Sequence, residues 1–381
     1  MTHIVICPDS FKESLSASDA AQAIEAGFRR IIPEAKYTRI PMADGGEGTV
    51  QSMVDALGGS VIPVKVTGPL GEQVEAFFGI SGDGQTAVIE MAAASGLHLV
   101  PIAQRNPLLT SSQGTGELIL AALDKGVSHI IIGLGGSATN DGGAGMACAL
   151  GARLLDGEGN DLNPGGGALG KLDTINLSGL DPRIKKVQID VACDVDNPLC
   201  GPNGASTIFG PQKGATDEMV AILDSNLSHY ASVVEKQLNC DIASIPGAGA
   251  AGGLGAALAG IFGASLRPGV EIVIETVRLH NYLADADLVI TGEGRIDSQT
   301  VHGKTPIGVA KAAKLHGLPV IGIAGAVSDD SQIVSEHGID AIFSITPRVM
   351  SLDEALDDGA RNLERTAENI ARLMKMAVHI G

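Results

Sequence analysis

Both ends of the sequence alternate short β-branched runs with helical periodicity, and this alternation constrains the fold more than any other feature. The apolar run His3–Cys7 is followed by Ala20, Ile24 and Phe28 at helical spacing. From residue 286 onward, predicted strands and helices again follow one another with short connections. Such alternation predicts a parallel sheet with helices packed on both faces.

The middle of the chain has longer, glycine-rich segments between its predicted strands than the two ends have. Strands predicted at 86–91, 129–134 and 187–192 are separated by long glycine-rich segments. The 381 residues also exceed the ~250–300 at which one hydrophobic core usually stops growing. We therefore predict an α/β protein of two domains. A doubly wound parallel-sheet domain is built from both chain ends, and a second α/β domain is inserted in it; the expected bounds are 1–65 with 281–381, and 66–280.

Glycine makes up 51 of the 381 residues, roughly twice its usual share of ~7%. Five segments near predicted strand ends carry charged or hydroxyl residues, and all of them except the first also contain glycine. These segments are PDSFKES (8–14), MADGGEGT (42–49), GLGGSATNDGGAG (133–145), GPQKGAT (210–216) and TGEGRIDSQT (291–300). Glycine allows the backbone to approach a ligand closely, so the five segments are the candidate binding loops.

The segment 133–145 is the richest of the five. It follows a predicted strand and leads into an Ala/Gly-rich helix, so exposed N–H groups and the helix start predict an anion or phosphate site. Ser137, Thr139 and Asn140 would add donors, and Asp141 could orient water or a metal. The alternative interpretation is a tight strand–helix crossover that needs glycine only for packing.

Two familiar nucleotide motifs are incomplete. Gly247–Gly252 has the spacing of a dinucleotide-binding loop, but Ser244 and Pro246 stand where an apolar strand should end. Gly303-Lys304-Thr305 resembles the end of a P-loop, but Ser298 occupies the position that requires glycine. Both interpretations are therefore disfavoured.

The charged residues of the five loops suggest phosphoryl transfer. Carboxylates would bind Mg²⁺ and accept the proton of an acceptor hydroxyl, while lysine and arginine would bind anions. Any single carboxylate could instead be a turn or helix cap. The cations are Lys12, Lys213, Arg295 and Lys304, and the carboxylates are Asp9, Asp44, Glu47, Asp190, Asp194, Glu293 and Asp297.

Overall charge excludes other classes of partner. With 26 Lys and Arg against 44 Asp and Glu, the formal net charge of −18 repels nucleic acid and anionic membranes. Seven Phe, three Tyr and no Trp are too few for base-stacking platforms. A small molecule is therefore the expected partner; the sequence leaves the oligomeric state open.

Cysteine usage and the N-terminus predict a cytoplasmic protein. The five cysteines form no C-x-x-C pair and their number is odd, so neither a disulfide framework nor a zinc ribbon fits. The start of the sequence has no cationic region and only a four-residue apolar run, unlike a signal peptide. The weakly apolar stretch 248–264 is predicted to be a buried helix instead of a membrane span.

Eight ordered motifs resemble those of the type-1 glycerate kinases, the bacterial glycerate 2-kinase group. They are PDSFKES, PMADGGEGT, SQGTGEL, GLGGSATNDGGAG, ACDVDNPLCGPNGA, GPQKGA, PGAGAAGG and TGEGRIDSQT. The likeness runs from Ile4 to the last predicted helix. It implies ATP- and Mg²⁺-dependent phosphorylation of D-glycerate to 2-phospho-D-glycerate, in glyoxylate or glucarate breakdown. It also implies two α/β domains, one of them flavodoxin-like.

The roles of individual residues come from the loop chemistry and not from the family. We expect Asp194 to be the general base. Asp190 is the second candidate, either as the base or as a partner of the metal. Asp44 and Glu293 are expected to bind Mg²⁺ directly or through water. The predicted nucleotide-binding residues are Gly135, Gly136, Ser137, Thr139, Asn140, Asp141 and Lys213, with Lys213 also catalytic. The predicted glycerate-binding residues are Arg295 as the carboxylate clamp and catalytic cation, with Lys12, Ser10 and Asp297 near it.

Three alternatives remain at the level of the sequence. The enzyme could phosphorylate the 3-hydroxyl of glycerate. It could be a nicotinamide-dependent hydroxy-acid oxidoreductase that uses Gly247–Gly252, or a regulator that binds a nucleotide without turnover.

Overall fold

The chain forms two compact units in a computed structural model that describes residues 2–301 and 303–377. The first unit comprises Met1–Asp44, Gln51–Gly58 and Gly269–Gly381, and the second comprises Gly45–Val50 and Gly59–Pro268. These bounds lie close to those expected from the sequence. That each unit is a domain able to fold by itself stays a prediction.

The secondary structure of the described residues mixes helices and strands along the whole chain. The strands are β1 (His3–Pro8), β2 (Lys36–Arg39), β3 (Ser60–Thr67), β4 (Gln73–Ile80), β5 (Thr86–Glu90), β6 (His129–Gly133), β7 (Arg153–Asp156), β8 (Leu172–Asn176), β9 (Gln188–Ala192), β10 (Ser265–Arg267), β11 (Leu288–Ile296), β12 (Val320–Val327) and β13 (Ala341–Ser344). The helices are α1 (Ala17–Ile31), α2 (Thr49–Leu57), α3 (Ala92–Ser95), α4 (Gln113–Asp124), α5 (Ala144–Ala149), α6 (Ala205–Phe209), α7 (Asp217–Leu238), α8 (Ala250–Ala256), α9 (Gly269–Thr276), α10 (Leu279–Leu283), α11 (Thr305–Leu315), α12 (Leu352–Asp357) and α13 (Gly359–Ala377).

The first unit is a doubly wound sheet with flavodoxin-like strand order. Its five strands run β13-β12-β11-β1-β2, and every pairing is parallel. Read from β2, this is the 2-1-3-4-5 order of flavodoxin-like folds, in which ligands bind beyond the carboxyl ends of the strands. The predicted fold class is therefore confirmed, including the contribution of both chain ends to one sheet.

Helix α1 illustrates how local sequence builds this unit. The Ser16 hydroxyl accepts a hydrogen bond from the Asp19 amide, which caps the first turn. The buried face of α1 carries Ile24 and Phe28 and packs against α13. A Cβ on Gly27 would approach the Glu364 carbonyl oxygen to 2.3 Å, so only glycine permits the two helix backbones to lie this close.

The second unit has a mixed sheet of its own. Its strands follow the order β10-β9-β6-β5-β4-β3; the pairs from β10 to β5 are parallel, and β4 and β3 are added antiparallel. A separate hairpin pairs β7 with β8. The core beneath the sheet contains Ile130, Ile132, Ile189 and Val191, which alternate along β6 and β9. Parallel strands buried in this way agree with the predicted α/β class.

Three elements differ from what their local sequence predicts. The pattern predicts a strand at 286–291, but β11 begins at Leu288 and continues to Ile296, because its last residues pair with Ala326 and Val327 of β12. The C-terminal helix is interrupted, with α12 ending at Asp357 and α13 beginning at Gly359.

The stretch 248–264 is only partly a helix. Ala251, Gly252 and Gly253 have left-handed backbone angles inside α8, and a π-helical turn follows at Ala257–Ile261. A Cβ on Gly252 would come to 2.0 Å from the Thr139 carbonyl oxygen, so this glycine run serves close backbone packing. Within 2–301 and 303–377, no helix is long and apolar enough to cross a membrane.

Candidate active site

Three carboxylates gather at the carboxyl edge of the first unit's sheet. Asp9 directly follows β1 and its amide donates to the Gly292 carbonyl oxygen of β11 at 2.8 Å. Glu293 is the next residue of β11, and Asp44 follows β2. Strands β1 and β11 are neighbours at the point where the strand order reverses, which is where doubly wound sheets bind ligands.

Burial and the charges of neighbouring carboxylates raise the pKa values of Asp9 and Glu293. Burial raises the pKa of Asp9 to about 6, and the negative charge of Asp44 adds to it; the Thr305 hydroxyl opposes the shift by donating to Asp9 Oδ2 at 2.5 Å. Burial raises the pKa of Glu293 to about 7, with Asp9 and Asp44 adding to the rise.

Two partners oppose the rise in the pKa of Glu293. Lys304 Nζ lies 3.7 Å from Glu293 Oε2, and the Thr300 hydroxyl donates to Glu293 Oε1 at 2.8 Å. The cluster therefore carries more negative charge than its own surroundings balance, which favours a cation there.

The donor set of the cluster fits Mg²⁺. Carboxylate and hydroxyl oxygens are the hard ligands this ion prefers, and Mg²⁺ usually keeps several waters and takes one or two carboxylates. Among the described residues, no three His, Cys, Asp or Glu side chains are close enough to form a complete metal site by themselves. Both observations are compatible with contacts made partly through water.

The predicted glycerate-binding residues all lie in the first unit. Arg295 is in β11, two residues after Glu293, and not in a loop as its sequence context suggested. Its Nε lies 3.1 Å from Asp297 Oδ2, and 67% of its side chain is exposed. Lys12 is exposed and Ser10 half-buried in the loop after β1. An exposed guanidinium that already has one carboxylate partner can still bind an anion with its remaining N–H groups.

In the second unit, two glycine loops pack backbone against backbone. A Cβ on Gly133 would lie 2.3 Å from the Gly45 carbonyl oxygen, and a Cβ on Gly135 would lie 3.6 Å from Gly46 Cα. Gly135 and Gly136 are exposed. These loop tips can therefore present backbone N–H groups to an anion.

The rest of the predicted phosphate loop is buried and occupied by the chain itself. Asp141 has no exposed surface; its Oδ2 accepts from the Ser112 amide at 2.8 Å, the Ser112 hydroxyl at 2.9 Å and the Gly145 amide at 3.2 Å. Its Oδ1 accepts from the Gly143 amide at 3.2 Å.

Helix α5 has six residues, and Asp141 accepts from the Gly143 and Gly145 amides at its start. That the start of this helix adds positive potential for a ligand stays a prediction. Ser137, Thr139 and Asn140 are buried beside Asp141. Their contact with a nucleotide stays a prediction that requires this segment to open.

Lys213 is almost completely buried, with 1% exposure. Its Nζ donates to the Thr139 carbonyl oxygen at 2.6 Å. Burial lowers the pKa of Lys213 to about 7, and the charge of Asp141 opposes this. Lys213 thus holds the backbone of the phosphate loop from within, and its predicted contact with ATP phosphates stays a prediction.

Polar atoms near this loop lack partners within the described residues. Thr139 Oγ1, Asn140 Oδ1 and Tyr230 OH are buried and make no hydrogen bond. The Asn140 amide nitrogen donates to Ser206 Oγ at 2.9 Å. These three buried atoms of the second unit therefore have unused hydrogen-bonding capacity, which is often seen in functional segments.

The two candidate bases have different surroundings. Asp190 lies inside β9, 4% exposed, with Oδ2 2.8 Å from both His129 Nε2 and Gln188 Nε2. Asp194 is exposed in the loop after that strand. A carboxylate held by two partners and excluded from solvent is less free to take a proton from a ligand, which counts against Asp190. Asp194 as the base stays a prediction.

Sequence reasoning gave no role to several residues that the structure places in these sites. Asp9 was one carboxylate among seven, although its position directly after β1 was a signal. Thr305 belongs to the incomplete P-loop match but donates to Asp9. Ser112 and His129 had no local signal, since their partners Asp141 and Asp190 are 29 and 61 residues away.

The chain is similar to known proteins over nearly its whole length. A model described as the glycerate kinase family matches residues 4–375. The chain belongs to the glycerate kinase family. The resemblance seen in the eight motifs is thereby confirmed.

Individual relatives are similar over nearly their whole length. The chain is 62% identical over 374 residues to a glycerate kinase of Bacillus subtilis (strain 168), covering 98% of each chain. It is 59% identical over 375 residues to the glycerate 2-kinase of Escherichia coli (strain K12), again covering 98% of each. A crystal structure of a candidate glycerate kinase 2 from Salmonella typhimurium LT2 superposes with a TM-score of 0.93 at 57% identity, covering 99% of both chains.

Proposed function

We propose that this chain transfers the γ-phosphoryl group of ATP to the 2-hydroxyl of D-glycerate, giving 2-phospho-D-glycerate and ADP. The substrate is inferred from the similarity to the glycerate 2-kinase of Escherichia coli. The chemistry is inferred from one observation, the cluster of Asp9, Asp44 and Glu293 at the switch point of the sheet, in which the pKa values of Asp9 and Glu293 are raised.

The reaction forms one bond and breaks one. The 2-oxygen of glycerate attacks the γ-phosphorus, the bond from that phosphorus to the β,γ-bridging oxygen breaks, and ADP leaves with the electron pair. The hydroxyl proton passes to a carboxylate. We assign that role to Asp194, with Asp190 second.

The carboxylate cluster would hold Mg²⁺ through Asp44 and Glu293, with Asp9 as a further partner. When bound, the ion would neutralise charge on the β- and γ-phosphates. Arg295 would clamp the glycerate carboxylate, with Lys12, Ser10 and Asp297 near it. Gly135 and Gly136 would donate to phosphate oxygens; Ser137, Thr139, Asn140, Asp141 and Lys213 would shape that loop or contact the nucleotide after it opens.

We also propose a cytoplasmic role in glyoxylate or glucarate catabolism, with no nucleic-acid partner. The five cysteines are all free thiols, as is usual in a reducing compartment. A net charge of −18 argues against polyanion binding.

An assay of the purified protein with ATP, Mg²⁺ and D-glycerate tests the activity. Product is detected by coupling to enolase, which accepts 2-phosphoglycerate directly, and in parallel to enolase with phosphoglycerate mutase. Signal without the mutase is expected. Signal only with the mutase would establish the 3-kinase alternative, and glycerate-dependent change of nicotinamide absorbance without ATP would establish the oxidoreductase. Binding of ATP without turnover would support the alternative of a regulator that binds a nucleotide and has no kinase activity.

The roles of the carboxylates are separated by Mg²⁺ titration. For Asp44→Asn, excess Mg²⁺ should partly restore kcat, because a weakened ligand set raises the ion requirement. For Asp194→Asn, kcat should stay low at every Mg²⁺ concentration while the affinity for nucleotide is little changed. Rescue of Asp194→Asn but not of Asp44→Asn would reverse the two assignments.

A conservative substitution tests the clamp. Arg295→Lys keeps the charge and loses the planar fork, so KM for glycerate should rise on the order of tenfold. If only KM for ATP changes, Arg295 belongs to the nucleotide instead.

A further inference from the structure

We propose that a cavity in the first unit binds the purine base of the nucleotide donor. The inference rests on the proposed function, because ATP as donor is part of it. The cavity has a volume of about 380 Å³ and lies over the carboxyl ends of β11, β12 and β13. That volume falls within the ~300–1,000 Å³ of small-molecule sites.

The walls of the cavity are mostly apolar. They include Phe11, Ile345, Met350, Leu352 and Leu356, with the backbone of Gly294 and Gly325 between them. Leu352 is 70% exposed at the rim, although it is a large apolar side chain. A flat aromatic ring buries apolar surface without requiring many polar partners, so it suits these walls.

One amide side chain lines this cavity and has no hydrogen-bond partner among the described residues. Asn362 of α13 lines it and is only 5% exposed. No described residue makes a hydrogen bond to its side chain, although its backbone amide donates to Asp358 in the helix. Neither amide atom is among the fully buried ones that lack a partner, so both reach the open space of the cavity, and a ligand that fills this space is stabilised when it hydrogen-bonds to them.

The chemistry of that amide indicates the kind of ligand. Asparagine presents one donor and one acceptor side by side, and adenine presents the complementary acceptor and donor along its edge. An aliphatic ligand would leave the amide unsatisfied. A heteroaromatic base matches both the apolar walls and the amide.

The place of the cavity supports a nucleotide over an unrelated ligand. Gly294 follows Glu293, and Phe11 is two residues after Asp9, so the cavity borders the carboxylate cluster. Nucleotides in doubly wound sheets bind at this same edge. A base held here would leave its phosphates within the unit that carries the proposed Mg²⁺ partners.

Binding of adenosine, which has no phosphate, tests the cavity apart from catalysis. Titration calorimetry should show adenosine binding to the wild type and roughly tenfold weaker binding to Asn362→Leu, since two hydrogen bonds are lost. Ala355→Phe fills the cavity from α12 and should weaken adenosine similarly. Binding of inorganic tripolyphosphate should be unchanged in Ala355→Phe. The matched control is Ala360→Phe at an exposed position of α13, which should behave as wild type.

Base preference gives a second readout in an isosteric variant. Asn362→Asp keeps the shape but replaces the donor with an acceptor, which pairs with the two N–H groups of guanine and repels an adenine ring nitrogen. The ratio of kcat/KM for ATP to that for GTP should fall about tenfold. This variant carries the test if Asn362→Leu does not fold.

The outcomes distinguish this proposal from the proposed function. Normal turnover with unchanged adenosine binding and base preference in all three variants would overturn the cavity assignment alone. Absence of ATP turnover in the wild type, with adenosine binding that Ala355→Phe abolishes, would overturn the kinase and leave the cavity a purine site.

Discussion

At the scale of single residues, Lys213 has the least usual environment. A lysine ammonium is almost never fully buried without compensation, yet among the described residues Lys213 Nζ makes one hydrogen bond, to the Thr139 carbonyl oxygen, with the charge of Asp141 nearby. Its pKa of about 7 lies far below the ordinary value of 10.5. The folded protein therefore binds the proton of Lys213 less tightly than the unfolded chain does.

This shift predicts a pH dependence of stability. Between pH 7 and 10.5 the unfolded chain binds more protons at this lysine, so its contribution to the free energy of unfolding rises with pH and is lost as pH falls through about 7. The difference in unfolding free energy between wild type and Lys213→Met should become more favourable to wild type over that interval. Urea denaturation at several pH values measures it. A difference that stays constant with pH would contradict the low pKa.

Glu293 predicts a dependence of the opposite sign. Its pKa is raised from 4.5 to about 7, so the folded protein binds more protons than the unfolded chain over that interval. Its contribution to stability is full below pH 4.5 and is lost as pH rises through 7. In buffer with a chelator, Glu293→Gln should remove this loss, and its stability relative to wild type should increase from pH 5 to 7. If the unfolding free energies of both proteins declined in parallel with rising pH, the Glu293 carboxyl would titrate at its ordinary pKa.

At the scale of elements, the decisive contact is that between the end of β6 and the loop at Gly45. The two backbones touch because Gly133 has no side chain. This contact sets where the exposed tip, Gly135 and Gly136, lies relative to the N-terminus of α2. That N-terminus is itself bound by Glu90, whose Oε1 accepts from the Val50 amide at 2.8 Å.

A single methyl group at Gly133 should therefore disturb both stability and activity. In Gly133→Ala the Cβ would meet a carbonyl oxygen at 2.3 Å, so the loops must separate, at roughly 1–3 kcal/mol. We expect a lower melting temperature and a lower kcat/KM for ATP. Gly157→Ala is the control, since its Cβ would meet nothing within 4 Å. Equal melting temperatures for the two variants would mean that the loops separate without strain.

At the scale of the whole molecule, each unit has its own sheet and hydrophobic clusters. One cluster contains Ile4, Ile290 and Leu363 in the first unit, and another contains Ile130 and Val191 in the second. Such separate cores favour separate cooperative unfolding. We therefore propose that the two units are two domains.

Native-state hydrogen exchange at increasing denaturant tests this proposal. Amides of β1 and β11 should lose protection together, and those of β6 and β9 together at a different denaturant concentration. Loss of protection in one common step would show a single cooperative unit.

Local sequence patterns were sufficient to predict much of the fold. The strand at His3 and the helix that contains Ala20, Ile24 and Phe28 depend on neighbours within a few residues, and both are predicted from spacing. Alternation of strands and helices predicted the parallel sheet, because short connections between parallel strands leave few other arrangements. The eight motifs were sufficient for the family, since their order spans the chain.

Only the tertiary structure decided which polar groups meet. Asp9 and Thr305 are 296 residues apart, and Lys213 and Thr139 are 74 apart. Hydrogen bonds of this kind follow from how strands are ordered in a sheet, and no local propensity encodes them. Burial likewise depends on what packs on a residue from elsewhere in the chain. For that reason Asp141 and Lys213, predicted as ligand contacts from their glycine-rich surroundings, lie inside the second unit and stabilise its loop.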